Sequence, residues 1–167
     1  MEIIKELQQS EIDKIRLEAR GRFDEGAILE SIKKEHCYQV RLYADDFNTI
    51  LINSSVEDQG LHLSEYPTIR DVIDSIKQNP DFLNKTNSNR RLDGKTVGRY
   101  CGEFRQRNNK PDYFFLVDRD YYPEMNPKGL FYVRDGMHHL VAYGLITDMN
   151  ENAFPIIGFY SSNKKNA

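Results

Sequence analysis

Apolar positions in this chain recur with a helical period in some stretches and a strand period in others, and the switches between the two set the expected element order. Ile12, Ile15 and Leu17 follow Ser10 at roughly helical spacing, so a short acidic helix is expected over 10–20. Ala27, Ile28, Leu29 and Ile32 predict a second helix ending at Lys33-Lys34, basic residues that suit a helix C-terminus. Tyr38, Val40 and Leu42 then alternate with Gln39 and Arg41, and Thr49-Ile50-Leu51-Ile52 follows a polar interruption; the pattern reads as a β-hairpin. Pro67 opens an amphipathic helix over 68–76 that should stop near Asn79-Pro80. Residues 84–89 are turn formers with no apolar anchor, and they mark a seam. An N-terminal helical and hairpin lobe (1–86) is expected before it and a C-terminal core (87–167) after it.

Beyond the seam, Val97, Tyr100, Cys101 and Phe104 fall at i, i+3, i+4 and i+7, which predicts a helix over 96–106. Residues 113–117, 130–133 and 154–160 are apolar runs of strand length, and 137–145 is helical in composition. The fold class expected is α/β (α+β), a small mixed sheet with helices.

Composition narrows the class. The 167 residues suffice for one good core, with 39% apolar and 29% charged residues. The longest apolar runs fall far short of a membrane span, and the acidic N-terminus lacks the zones of a signal peptide, so a cytoplasmic protein with no membrane partner is expected. Cys37 and Cys101 lie far apart without metal-ligand spacing and read as buried free thiols. His36 beside Cys37 on a strand points to the opposite face, which argues against a thiol–imidazole pair. The net charge of −3 gives no broad attraction for nucleic acid, yet Arg90, Arg91, Lys95, Arg99, Arg105 and Arg107 crowd one stretch. That cluster is either a local basic face or an ordinary solvated helix surface balanced by Asp93 and Glu103.

The most informative run is Asp135-Gly136-Met137-His138-His139, where a buried strand hands over to a helix. Gly136 permits a sharp turn, and the helix start leaves N–H groups and a partial positive charge that favour an anion. His138 and His139 point about 100° apart, so one can face the core while the other faces the turn. Asp-Gly between a strand and a helix is also ordinary turn chemistry, with Asp135 as a plain cap. Asp118-Arg119-Asp120, just past a strand end, is either a loop-solvating run or a cluster facing the same site.

In order and spacing, Asn89-Arg90-Arg91, the helix over 96–106, the strand after Pro111, the run from Phe131 to Tyr143 and Phe154-Pro155-Ile156-Ile157 together resemble the ParB/sulfiredoxin-like superfamily. The resemblance covers somewhat under half of the chain. It implies a pocket for the phosphates of a nucleotide such as ATP or CTP, with Mg. Gly136 and His138 match the glycine and histidine of the family's Gly-x-His-Arg turn, Asp135 the acid before it, and Arg91 the arginine of its Asn-x-Arg element. His139 stands where the family usually has arginine, so a one-donor side chain replaces a two-donor grip. Met137 stands where sulfiredoxin carries its cysteine.

Two functions follow as expectations. In the first, a nucleotide hydrolase, phosphotransferase or nuclease holds phosphate with Gly136, Met137, His138, His139, Arg91 and Arg134. His138 and Asp135 would act in catalysis, and Asp135 or Glu124 would bind the metal. In the second, the same turn serves a non-catalytic module that holds nucleic acid or a protein partner.

Overall fold

The computed structural model describes residues 1–21, 25–34, 36–52, 60–64, 66–86, 92–111, 113–118 and 129–164. Its centre is a six-stranded mixed sheet of β1 (Glu2–Glu6), β2 (His36–Leu42), β3 (Ile50–Leu51), β4 (Phe115–Asp118), β5 (Phe131–Asp135) and β6 (Ile156–Ser162). The spatial order is β1-β2-β6-β4-β5-β3. The pairs β4/β6 and β3/β5 are parallel, and the other neighbours are antiparallel. Residues 1–86 and 87–167 contribute three strands each.

Alternation along the strands sends side chains to two cores. Tyr38, Val40, Leu42, Phe114, Leu116 and Tyr160 join the larger one, under α3 (Ile69–Gln78), α4 (Gly94–Arg107) and α5 (Met137–Thr147). Cys37 and Phe115 face the other way and meet Ile15, Ala19, Ile28 and Ile32 from α1 (Gln9–Ala19), α2 (Glu25–Ser31) and the turn after it. The sheet therefore carries helices on both faces, as an α/β class requires.

Local chemistry explains the helix boundaries. Thr68 Oγ1 accepts from Asp71 N at 3.1 Å while Asp71 Oδ2 accepts from Thr68 N at 3.0 Å, a reciprocal cap that opens α3. Ile69, Val72, Ile73 and Ile76 then bury one stripe, and Pro80 follows the helix. At the start of α4, Asp93 Oδ1 accepts from Thr96 N at 2.7 Å and from Thr96 Oγ1 at 2.6 Å.

Two expectations change. β2 and β3 are not hairpin partners: β2 lies between β1 and β6, and β3 pairs in parallel with β5. The intervening Ala44–Asn48 segment is a 3-10 turn whose Phe47 is fully buried and meets Phe154 edge-on, so it anchors the chain in the core and carries it to the far side of the sheet. β1 is an edge strand that Glu-Ile-Ile-Lys-Glu does not announce, because its two isoleucines are adjacent and lack the alternation of a half-buried strand.

Both cysteines are buried and unbridged. Cys37 Sγ faces Ile32 O, Cys101 Sγ faces Ala142 O at 3.7 Å, and His36 turns away from Cys37 to Glu6 at 2.6 Å. Burial pushes the Cys37 thiol up to about 11 and raises Cys101 as well. At pH 8 on the order of one Cys37 in a thousand is then thiolate, the reactive form. A disulfide reagent added to the native protein at pH 8 is expected to find neither thiol on a minutes scale and both after denaturation. Rapid native labelling of either would contradict this burial.

Candidate functional site

The turn that joins β5 to α5 is fixed from below. Gly136 has φ +85°, the left-handed region, and a Cβ there would lie 2.7 Å from Phe114 Cβ, 2.8 Å from Phe114 Cα and 2.8 Å from Tyr113 O. Both conformation and space thus require glycine. Asp135 Oδ1 accepts from Gly136 N at 2.7 Å, which holds its carboxylate against the turn.

Gly136 is the N-cap of α5, and no side-chain hydrogen bond caps this helix. Its first ladder bond runs from Leu140 N to Gly136 O at 3.0 Å. The helix start therefore presents its N–H end beside Asp135, with Gly136, Met137, His138 and His139 all half-buried.

The two histidines diverge. His138 Nε2 accepts from Asp93 N at 3.0 Å, across to the N-cap of α4. The amide can only donate, so Nε2 is unprotonated in this bond. His139 packs on α4 instead, with its ring 4.0 Å from Tyr100 and 6.1 Å from Phe104, both edge-on. One histidine thus ties two helix starts together and the other fills the seam between the same two helices.

The remaining predicted residues separate. Arg134 pairs with Glu30 of α2 at 2.9 Å, and its side chain is 16% exposed, so it joins the sheet to that helix. Asp118 lies at the other end of the strands: Phe115 pairs with Asp135, whereas Asp118 pairs with Phe131. Three residues of strand, about 10 Å, separate it from the turn along the sheet. Its carboxylate accepts from the Tyr160 and Ser162 hydroxyls, an internal network that accounts for it without the turn. Arg90, Arg91, Arg119, Asp120 and Glu124 lie outside the described residues. Among the described residues, no group of three His, Cys, Asp or Glu side chains is gathered as a metal cage.

Sequence reasoning took Asp93 only as a charge balancing the basic stretch and gave Phe114 no role beyond its apolar run. Asp93 is legible as an acid three positions before Thr96, an ordinary N-cap spacing, but its contact with His138 spans 45 positions and leaves no local trace. No family model matches this chain, and neither a curated protein nor a solved structure matches it.

Gly136→Ala is expected to lower stability by about 2 kcal/mol or more, from left-handed strain plus the Phe114 contact. His138→Ala is expected to lose about 1 kcal/mol, for one bond to the Asp93 amide. Urea unfolding that ranked these two the other way would overturn this description of the turn.

Proposed function

We propose that the Gly136 turn binds the phosphate of a nucleotide, with Mg2+ shared between that phosphate and Asp135. The observation that carries the reading is the meeting of two helix starts. α5 begins at a glycine without a side-chain cap, and His138 in its first turn accepts from the amide at the N-cap of α4. The positive ends of two helix dipoles then lie beside one region, and a phosphate there gains from both.

Charge decides the form of the ligand. Asp135 and Asp93 place carboxylates beside these helix starts, and they oppose a bare phosphate. A divalent cation on the phosphate removes that conflict. With no cage of three protein ligands among the described residues, the ion that fits is one held largely by phosphate oxygens and water with a single carboxylate, which is how Mg2+ is commonly bound. The resemblance to the ParB/sulfiredoxin-like superfamily supports the same turn and makes ATP and CTP the first ligands to try.

In a hydrolase or phosphotransferase built on this site, the amides of the first turn would stabilise charge on the transferring group and Asp135 would hold the ion. His138 would act as a positioning residue, keeping the two helix starts in register through the Asp93 amide.

Titration calorimetry with ATP and CTP, with and without Mg2+, tests the reading on the parent, Asp135→Asn and His139→Arg proteins. The asparagine keeps an acceptor for Gly136 N, so the turn survives the change. Asp135→Asn is expected to raise metal-free affinity and abolish the Mg2+ dependence, and His139→Arg to tighten binding about tenfold through a two-donor grip. Absence of binding at millimolar nucleotide in both the parent and His139→Arg would refute it.

A further inference from the structure

On the sheet face that carries α1 and α2, the register sets Ser161 of β6 between Cys37 of β2 and Val117 of β4. Paired residues point to the same side of a sheet, so a serine stands in a row whose other two members are buried and apolar. Ser161 is itself only 1% exposed, and its hydroxyl has no hydrogen-bond partner among the described residues. Burying a hydroxyl unpaired is unfavourable, and alanine would fill the same place without that cost. A polar group brought to this hydroxyl from outside the chain removes the penalty.

Ser161 lines a cavity of about 200 Å³ at the carboxyl ends of β4 and β6, together with Lys34, Val117, Asp118, Ser162 and Lys164. The two strands are parallel, and the crevice beyond the carboxyl ends of such strands is where α/β sheets commonly hold ligands. Lys34 reaches it from the turn after α2, where Lys34 N donates to Ser31 O at 3.2 Å and the buried Ile32 anchors the chain. The space is smaller than the roughly 300 Å³ at which pockets for drug-sized ligands begin, so it suits a molecule of a few heavy atoms.

The wall selects the chemistry of that molecule. The Asp118 carboxylate accepts from the Tyr160 and Ser162 hydroxyls, and Ser162 Oγ accepts from Lys164 N at 2.9 Å. Its acceptors are thus engaged within the chain, whereas the Ser161 hydroxyl is a donor without an acceptor. Two lysines stand against one carboxylate, an excess of a single positive charge. A ligand that supplies acceptors and one negative charge matches both conditions, and a doubly charged phosphate exceeds the second. Val117 adds an apolar side for a short carbon chain.

We infer that this cavity binds a small monocarboxylate, with the Ser161 hydroxyl donating to a carboxylate oxygen and Lys34 and Lys164 balancing its charge. The site lies at the opposite end of β4 from the Gly136 turn, and the inference is independent of any nucleotide bound there.

A titration of 15N-labelled protein with sodium propionate at constant ionic strength and without Mg2+ tests it. Saturable shifts are expected at the amides of Lys34, Ser161, Ser162 and Lys164, with a millimolar affinity in keeping with so few ligand atoms. Ser161→Ala is expected to weaken propionate about tenfold, the loss of one hydrogen bond to a charged group. In chloride buffer the same variant should melt no lower than the parent, because it removes an unpaired hydroxyl. Lys34→Met, on a turn at the surface, should weaken propionate by at least about fivefold. No saturable shift at these amides up to about 50 mM propionate would overturn the inference. So would Ser161→Ala that melts below the parent and binds propionate equally well, or saturation of the same amides by propylammonium or inorganic phosphate with propionate silent.

Discussion

Phe114 is the residue on which the candidate site rests. It is fully buried, and its ring occupies the space that Gly158 leaves on β6, where a Cβ would fall 2.3–2.5 Å from three ring carbons. Its own Cα and Cβ fill the space beneath Gly136. Its carbonyl accepts from Phe159 N at 3.0 Å, which locks the same residue to β6. A bulky ring between two glycines thus couples the sheet to the start of α5. The turn is shaped by the packing below it.

From that support the rest of the site follows. With α5 launched from Gly136, its first turn brings His138 to Asp93 and His139 to Tyr100, so α4 and α5 meet over a polar contact at their starts and an aromatic one about two turns along α4. Cys101 Sγ against Ala142 O continues the seam toward the core. The two helix starts are therefore held by side chains from the turn itself, and the anion-favouring ends of both helices are fixed relative to Asp135.

Much of this architecture was legible because it rests on local periodicity. The helices at α3, α4 and α5 and the strands β4, β5 and β6 announce themselves through spacing of apolar residues, and Gly136 through the strand-to-helix switch. What sequence could not supply depends on pairing between distant segments. β2 and β3 are close in the chain yet occupy the second and last places in the sheet, because Phe47 anchors the segment between them. Arg134 reads as a phosphate ligand from its neighbours, but α2 brings Glu30 to it. Asp118 and Asp135 both end strands, and only the antiparallel register of β4 and β5 reveals that they lie at opposite ends of that pair. The separate roles of His138 and His139 were half visible, since adjacent helical residues must diverge. Their partners on α4 were not.

The central claim is that the start of α5, held beside that of α4, receives phosphate. A titration of 15N-labelled protein with inorganic phosphate and Mg2+, followed amide by amide, addresses it most directly. The account predicts that the largest shifts fall on Gly136, Met137, His138 and His139, with a second set at Asp93 and Gly94 transmitted through His138. Shifts confined to the exposed basic residues of α4, or none at the turn at millimolar phosphate, would contradict it.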